Sequence, residues 1–180
     1  MPRRGRPAGA QLEVHKGPGT RYRSTLHRAD GVLVELEGGS WNTIGGRPGR
    51  VPHDLAHLIV EQELGLRRGL WGVLAAGGLV QNATFARGRL PPHAVERATA
   101  IAVDAAEELR RAEVLVRAVA DASRDRSPGG LRQAVGERWW HDGLTPGALA
   151  RMDAELRATA REWEALPAGA SVARSWTAPG

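Results

Sequence analysis

Apolar and polar residues alternate with a period of two near the start of the chain and follow a helical period further along. Residues 11–15 alternate as a short strand candidate, and residues 21–27 and 32–37 flank Ala29, Asp30 and Gly31, a turn signal. In the second of these runs Val32, Val34 and Leu36 share one face, with Leu33, Glu35 and Glu37 on the other. The pattern predicts a hairpin within a three-stranded antiparallel sheet. A glycine-rich loop over 38–49 follows, containing Trp41, Asn42 and Thr43. From residue 52 onward the pattern is helical. Helices are expected over 52–64, over the apolar stretch 68–78, over an Ala-rich run 91–122 and over 131–140. A last one, capped by Thr145 with Pro146 at its first position, runs to about Leu166. Residues 171–177 alternate again and are expected to return as a final strand beside the hairpin. The expected fold class is therefore α+β: a small antiparallel sheet covered by about five helices. Residues 1–10 read as a disordered basic tail and 11–180 as a single domain.

The helix over 52–64 carries a conflict. Pro52 suits its start and Gly65 its left-handed stop. Leu55, Leu58, Ile59, Val60 and Leu64 are spread almost all the way round, which predicts burial on most sides. Yet His53, Asp54, His57 and Glu61 lie within about 100° of one another on a single stripe. Buried ionisable groups are costly unless they are paired or bound to metal, so the stripe marks a site.

Composition changes this picture little. The net charge of +5 and the pI near 11 invite a nucleic-acid reading. However, only Lys16 among the 25 basic residues is lysine, and three arginines lie in the first six residues. Elsewhere Arg alternates with Glu and Asp, as over 107–113, in the manner of a solvated helix face. Nucleic acid is not the expected partner. The absence of cysteine removes disulfides, thiolate metal sites and a Cys nucleophile. There is no Gly-x-Ser-x-Gly elbow, no apolar run long enough to span a membrane and no secretory h-region after the basic N-terminus. A cytoplasmic location is expected.

His at i and i+4 presents two imidazoles on one helix face, a spacing that can chelate one ion. The run His53, Asp54, Leu55, Ala56, His57 is similar to a zincin helix, with Asp54 where those enzymes carry Glu. Glu61 cannot simply complete the set, because the helix rises about 12 Å between residues 53 and 61. A third ligand must come from elsewhere: His27, His93 and His141, the last beside Asp142 and after Trp139 and Trp140, are the candidates. Asp54 and Glu61 are candidate catalytic residues, as base or as the group that orients an imidazole through its other nitrogen. Three other readings compete: a buried hydrogen-bond network that only positions the helix, a favourable first-turn charge at Asp54, and a metal-free acid/base site.

The wider stretch from His53 to Gly72 resembles a family of small, uncharacterised bacterial proteins, mostly from high-GC organisms. It shares their pattern His-Asp-Leu-x-His-x-x-Val-Glu-x-x-Leu-Gly-Leu-x-x-Gly-x-Trp-Gly. The resemblance implies that the stretch is one unit, with Trp71 and Gly72 packed on the His helix; it implies no activity. The functional expectation is a small metal-dependent enzyme, hydrolytic in type, with a divalent metal, zinc first, held by His53 and His57. Its substrate would be a small molecule or a peptide. Iron, nickel or copper suit the same donors. The alternative is a non-catalytic interaction or regulatory protein whose long helix 91–122 forms a seam with a partner or a second copy.

Overall fold

The structure, a computed structural model, describes residues 9–38, 43–44, 50–124 and 130–177. Five strands form one antiparallel sheet: β1 (Gly9–Lys16), β2 (Tyr22–His27), β3 (Leu33–Gly38), β6 (Ala83–Arg87) and β7 (Ser171–Thr177), in the order β6-β3-β2-β1-β7. The two-residue strands β4 (Thr43–Ile44) and β5 (Val51–Pro52) pair separately. The helices are α1 (His53–Leu64), α2 (Leu70–Ala75), α3 (Ala94–Asp104), α4 (Ala106–Ala122), α5 (Leu131–Val135) and α6 (Pro146–Ala165), with a 3-10 turn at Glu137–Trp139. This is an α+β fold with six helices among the described residues. None of them is long and apolar enough to cross a membrane.

The expected hairpin is β2–β3. Gly31 takes φ +87°, and the Asp30 carboxylate accepts from the Val32 amide at 3.1 Å, a local bond that fixes this tight turn. The last strand does return to the sheet: β7 pairs with β1 from Gly9 opposite Thr177 to His15 opposite Ser171. On its outer edge the Ser175 carbonyl accepts from the Gln62 side chain at 3.0 Å, and the Ala173 carbonyl from Arg174 at 2.9 Å.

Five expectations need correction. The strand expected over 11–15 begins at Gly9, so the end of the supposed tail is sheet; residues 1–8 lie outside the described residues. The chain after residue 52 is not all helical, because 83–87 form β6 on the free side of β3. The run 91–122 is two helices, not one. Ala105, with φ −92° and ψ 8°, leaves helical geometry, and its buried methyl allows the close turn between α3 and α4. The helix expected over 131–140 ends at Val135, where Gly136 adopts φ +72°. Within the loop expected over 38–49, Gly38 ends β3 and residues 43–44 form β4; Trp41 and Asn42 lie outside the described residues.

One face of the sheet supplies the core row. Leu12 and Val14 of β1 face Leu26 and Ser24 of β2, which face Val34 and Leu36 of β3, and all six are buried. α1 joins this core through Leu55, Leu58, Val60 and Leu64. Gly65 stops it at φ 67°, and the Leu66 amide bonds back to the Glu61 carbonyl at 2.8 Å, a left-handed stop that satisfies a helix-end carbonyl. α4 turns Ala112, Leu115, Val116 and Val119 inward. Thr145 caps α6 by accepting from the Ala148 amide at 3.2 Å. α1 is thus enclosed by sheet and helices, and its polar stripe has to find partners inside the protein.

Candidate metal centre

Asp54 points towards the sheet. Its two oxygens accept from Ser24 Oγ at 2.5 Å and from the Tyr22 hydroxyl at 3.2 Å, and it is almost fully buried. Burial and the Asp54 charge push the Tyr22 phenol well above its ordinary value, so it stays a donor. Trp71 Nε1 donates to the Asp54 carbonyl at 2.9 Å, which locks α2 onto the first turn of α1. The nearer Asp54 oxygen is 3.9 Å from His53 Nδ1.

Glu61, fully buried, points the other way along the helix. It accepts from the Leu70 amide at 2.7 Å, from the Trp71 amide at 3.1 Å and from His57 Nδ1 at 2.8 Å. Backbone amides can only donate, so the Glu61 carboxylate accepts throughout and the proton of the third bond sits on His57 Nδ1. In the neutral imidazole this leaves a lone pair on Nε2, the nitrogen that faces away from Glu61.

That nitrogen meets two other donors. His57 Nε2 lies 3.2 Å from His53 Nε2 and 3.3 Å from Glu113 Oε1, while His53 Nε2 lies 3.1 Å from Glu113 Oε2. Glu113 comes from α4, packed alongside α1. The three side chains form a group whose ligand atoms converge closely enough to hold a metal ion. A tetrahedral zinc ion with bonds of about 2.0 Å needs ligand atoms about 3.3 Å apart; the two imidazole nitrogens, 3.2 Å apart, have that spacing, and the Glu113 carboxylate meets one of them with each of its oxygens. His57 is 1% exposed and His53 26%, whereas the Glu113 side chain is 56% exposed. The centre is therefore sealed on the sheet side and open on the α4 side, where a further ligand can enter.

Without metal the same atoms form a charged cluster. Burial opposes protonation of His57, but hydrogen bonds to Glu113 and Glu61, and their charges, outweigh it and raise its pKa to about 10. His53 is also raised: burial again opposes, and bonds to Asp54 and Glu113 overcome it. Glu113 is held well below the usual carboxylate range; burial would raise it, but the bonds to both histidines dominate.

None of the three histidines considered as third ligand joins this group. His27 is exposed at the end of β2, and His93 sits in the open beside Glu96. The ring of His141 accepts from the Gly143 amide at 3.0 Å, and burial together with the Arg111 charge lowers its pKa. The third donor is Glu113, which reads in sequence as part of a solvated face. The available signal is its place at the margin of the apolar stripe of α4, between Ala112 and Val116. Trp139 and Trp140 lie apart from the centre, half-buried, with Arg138 and Arg132 stacked on their rings. A groove between α1 and α6, lined by Leu58, Ile59, Arg151 and Met152, opens on a different face of α1 from His53 and His57.

The chain matches no protein-family model, no curated protein and no solved structure. The class to which the centre points, a site of two histidines and one carboxylate, rests on its geometry.

Proposed function

We propose that this protein is a small metal-dependent enzyme of hydrolytic type, with His53, His57 and Glu113 as ligands and zinc as the first metal to test. The observation that carries this reading is the convergence of His53 Nε2, His57 Nε2 and the Glu113 carboxylate to 3.1–3.3 Å, with the Glu113 side chain exposed. Two histidines one turn apart on a helix, with a carboxylate from another helix, give three protein ligands and leave a position for water or substrate. Bound there, zinc would polarise a carbonyl or phosphoryl group and lower the pKa of water.

The chain's own residues supply the rest. Glu61 orients His57 through Nδ1. Asp54 fixes the first turn of α1, and with it His53, against Ser24 and Tyr22. Glu113 would hold the metal with one oxygen, and its other oxygen, on the exposed side, would orient the attacking water by accepting a hydrogen bond from it, while the proton that the water loses would go to the leaving group through solvent. The water oxygen bonds to the acyl or phosphoryl centre as the bond to the leaving group breaks. Asp54, turned to the sheet, and Glu61, sealed from solvent, serve as supports rather than as the base. The substrate, a small molecule or a peptide, would enter from the Glu113 side.

A second reading, a non-catalytic protein whose stripe is a structural network, is favoured by one observation. The donors and acceptors of the cluster already lie within hydrogen-bonding distance of each other. Elemental analysis and zinc titration separate the two. The metal reading expects one zinc per chain, a melting temperature that rises with zinc, and chelator-sensitive hydrolysis of chromogenic ester, phosphate or peptide probes. Excess zinc at about 100 times Kd should add about 2.7 kcal/mol of stability. His57→Ala should abolish uptake and leave the far-ultraviolet dichroism of the parent. A parent protein without metal, indifferent to added zinc, would establish the structural network instead.

A further inference from the structure

Gly69 stands where no side chain fits. A Cβ built there would lie 2.3 Å from the Glu61 carboxyl carbon and 2.5 and 2.7 Å from its oxygens, and these are its three nearest atoms. The backbone makes no demand of its own, since φ is −76° and ψ −166°, extended geometry open to any residue. The need for glycine comes from Glu61. Immediately after Gly69, the Leu70 and Trp71 amides donate to that carboxylate, and its remaining bond goes to His57 Nδ1. Trp71 is tied in again through its indole, bonded to the Asp54 carbonyl. The start of α2 therefore grips the Glu61 carboxylate with two amides and the Asp54 main-chain carbonyl with the Trp71 indole.

We propose that the turn 69–71 is the positioning device of the metal centre, and that Gly69 is a positioning residue although it touches neither ligand. The missing side chain lets two amides hold Glu61, and Glu61 holds His57 with Nε2 turned to His53 and Glu113. Partners that fix the second nitrogen of a ligating imidazole set its tautomer and basicity, and losing one lowers metal affinity by about 10–100-fold. The coupling is reciprocal: an ion on His57 Nε2 would fix the imidazole ring and so steady its Nδ1 bond to Glu61 and the Leu70 and Trp71 amides. This inference rests on the metal reading of the centre.

The test titrates zinc ion into the metal-free full chain, using a competing chromophoric chelator, for the parent, Gly69→Ala and Glu61→Gln. Both variants should bind zinc about 10–100-fold more weakly than the parent, and Gly69→Ala should keep the parent's far-ultraviolet dichroism, because the Glu61 side chain can swing aside. Hydrogen exchange supplies a readout that a packing role for Gly69 would not move. Zinc should slow exchange at the Leu70 and Trp71 amides of the parent and fail to do so in Gly69→Ala. Parent-like affinity in both variants overturns the inference, as does weakened affinity with the zinc-induced protection intact in Gly69→Ala; either result leaves the metal reading standing. A parent chain that takes up no zinc overturns the metal reading, and this inference with it.

Discussion

His57 concentrates the chemistry of the centre in one side chain. Enclosed on every side, it lies between Glu61 at Nδ1 and Glu113 at Nε2. In the metal-free protein its pKa is raised from 6.5 to about 10. The folded state therefore holds this proton more tightly than the unfolded chain does. Its contribution is full below about pH 6.5 and is lost as pH rises through about 10. The lowered Glu113 acts in the opposite sense, contributing above the unfolded carboxylate value and losing that contribution as pH falls through its folded value. Metal-free stability, read from urea midpoints, should thus fall between about pH 7 and 10. Zinc should reverse the slope at lower pH. Ligating imidazoles carry no proton at the bound nitrogen, so the loaded protein should gain stability from about pH 5 to 7. Midpoints that stay level from neutral to alkaline pH without metal would count against the buried charged cluster. At this scale the sequence exposed His53, Asp54, His57 and Glu61, because helical spacing puts them on one stripe. It hid Glu113, whose role depends on which helix packs beside α1, and no periodicity within α4 carries that information.

Among the elements, α1 organises the rest. Its polar stripe divides between two anchors, Asp54 on the hydroxyls of β2 and Glu61 on the amides at the start of α2. Its apolar residues join the core. Leu55, 1% exposed, belongs to that core. Leu55→Ala should destabilise the protein by about 2–5 kcal/mol through lost transfer energy and an unfilled cavity; a loss below about 0.5 kcal/mol in a denaturant titration would mean that the side chain is not enclosed. The stop of α1, the turn at Gly31, the Thr145 cap and the return of β7 were legible, because each depends on local chemistry or strict alternation; the start of α1 falls one residue later than expected, with Pro52 just before the helix. The break at Ala105 was not, since alanine is a strong helix former and neither Gly nor Pro marks the place. Strand β6 was hidden by its brevity: Ala83, Thr84 and Phe85 alternate too briefly to stand out from helical surroundings. Gly136 is a sequence signal for the end of α5, masked by the match of residues 131–140 to a short helix in length.

At the scale of the whole molecule, the centre exists only when distant segments meet. Glu113 lies 60 residues from His53 along the chain, so an ion bridging them would clamp α4 to α1, and its binding energy would become folding energy. The sheet is assembled in a similarly non-local way, with β7 closing against β1. That closure leaves β7 at the border of the sheet, where its outward carbonyls at Ser175 and Ala173 are occupied by the Gln62 and Arg174 side chains. A border strand with free carbonyls is a template on which another chain can extend the sheet, and charged or covering side chains are the usual defence. Gln62 and Arg174 thus bear on colloidal behaviour rather than on the fold or the metal. The paired substitution Gln62→Ala with Arg174→Ala should leave the melting temperature within a few degrees of the parent's, and light scattering should show concentration-dependent association that the parent lacks. Scattering identical to the parent's across the same concentrations would mean that these two side chains do not guard the strand. The expected association is between copies of this chain, β7 against β7, so that two sheets would run on as one.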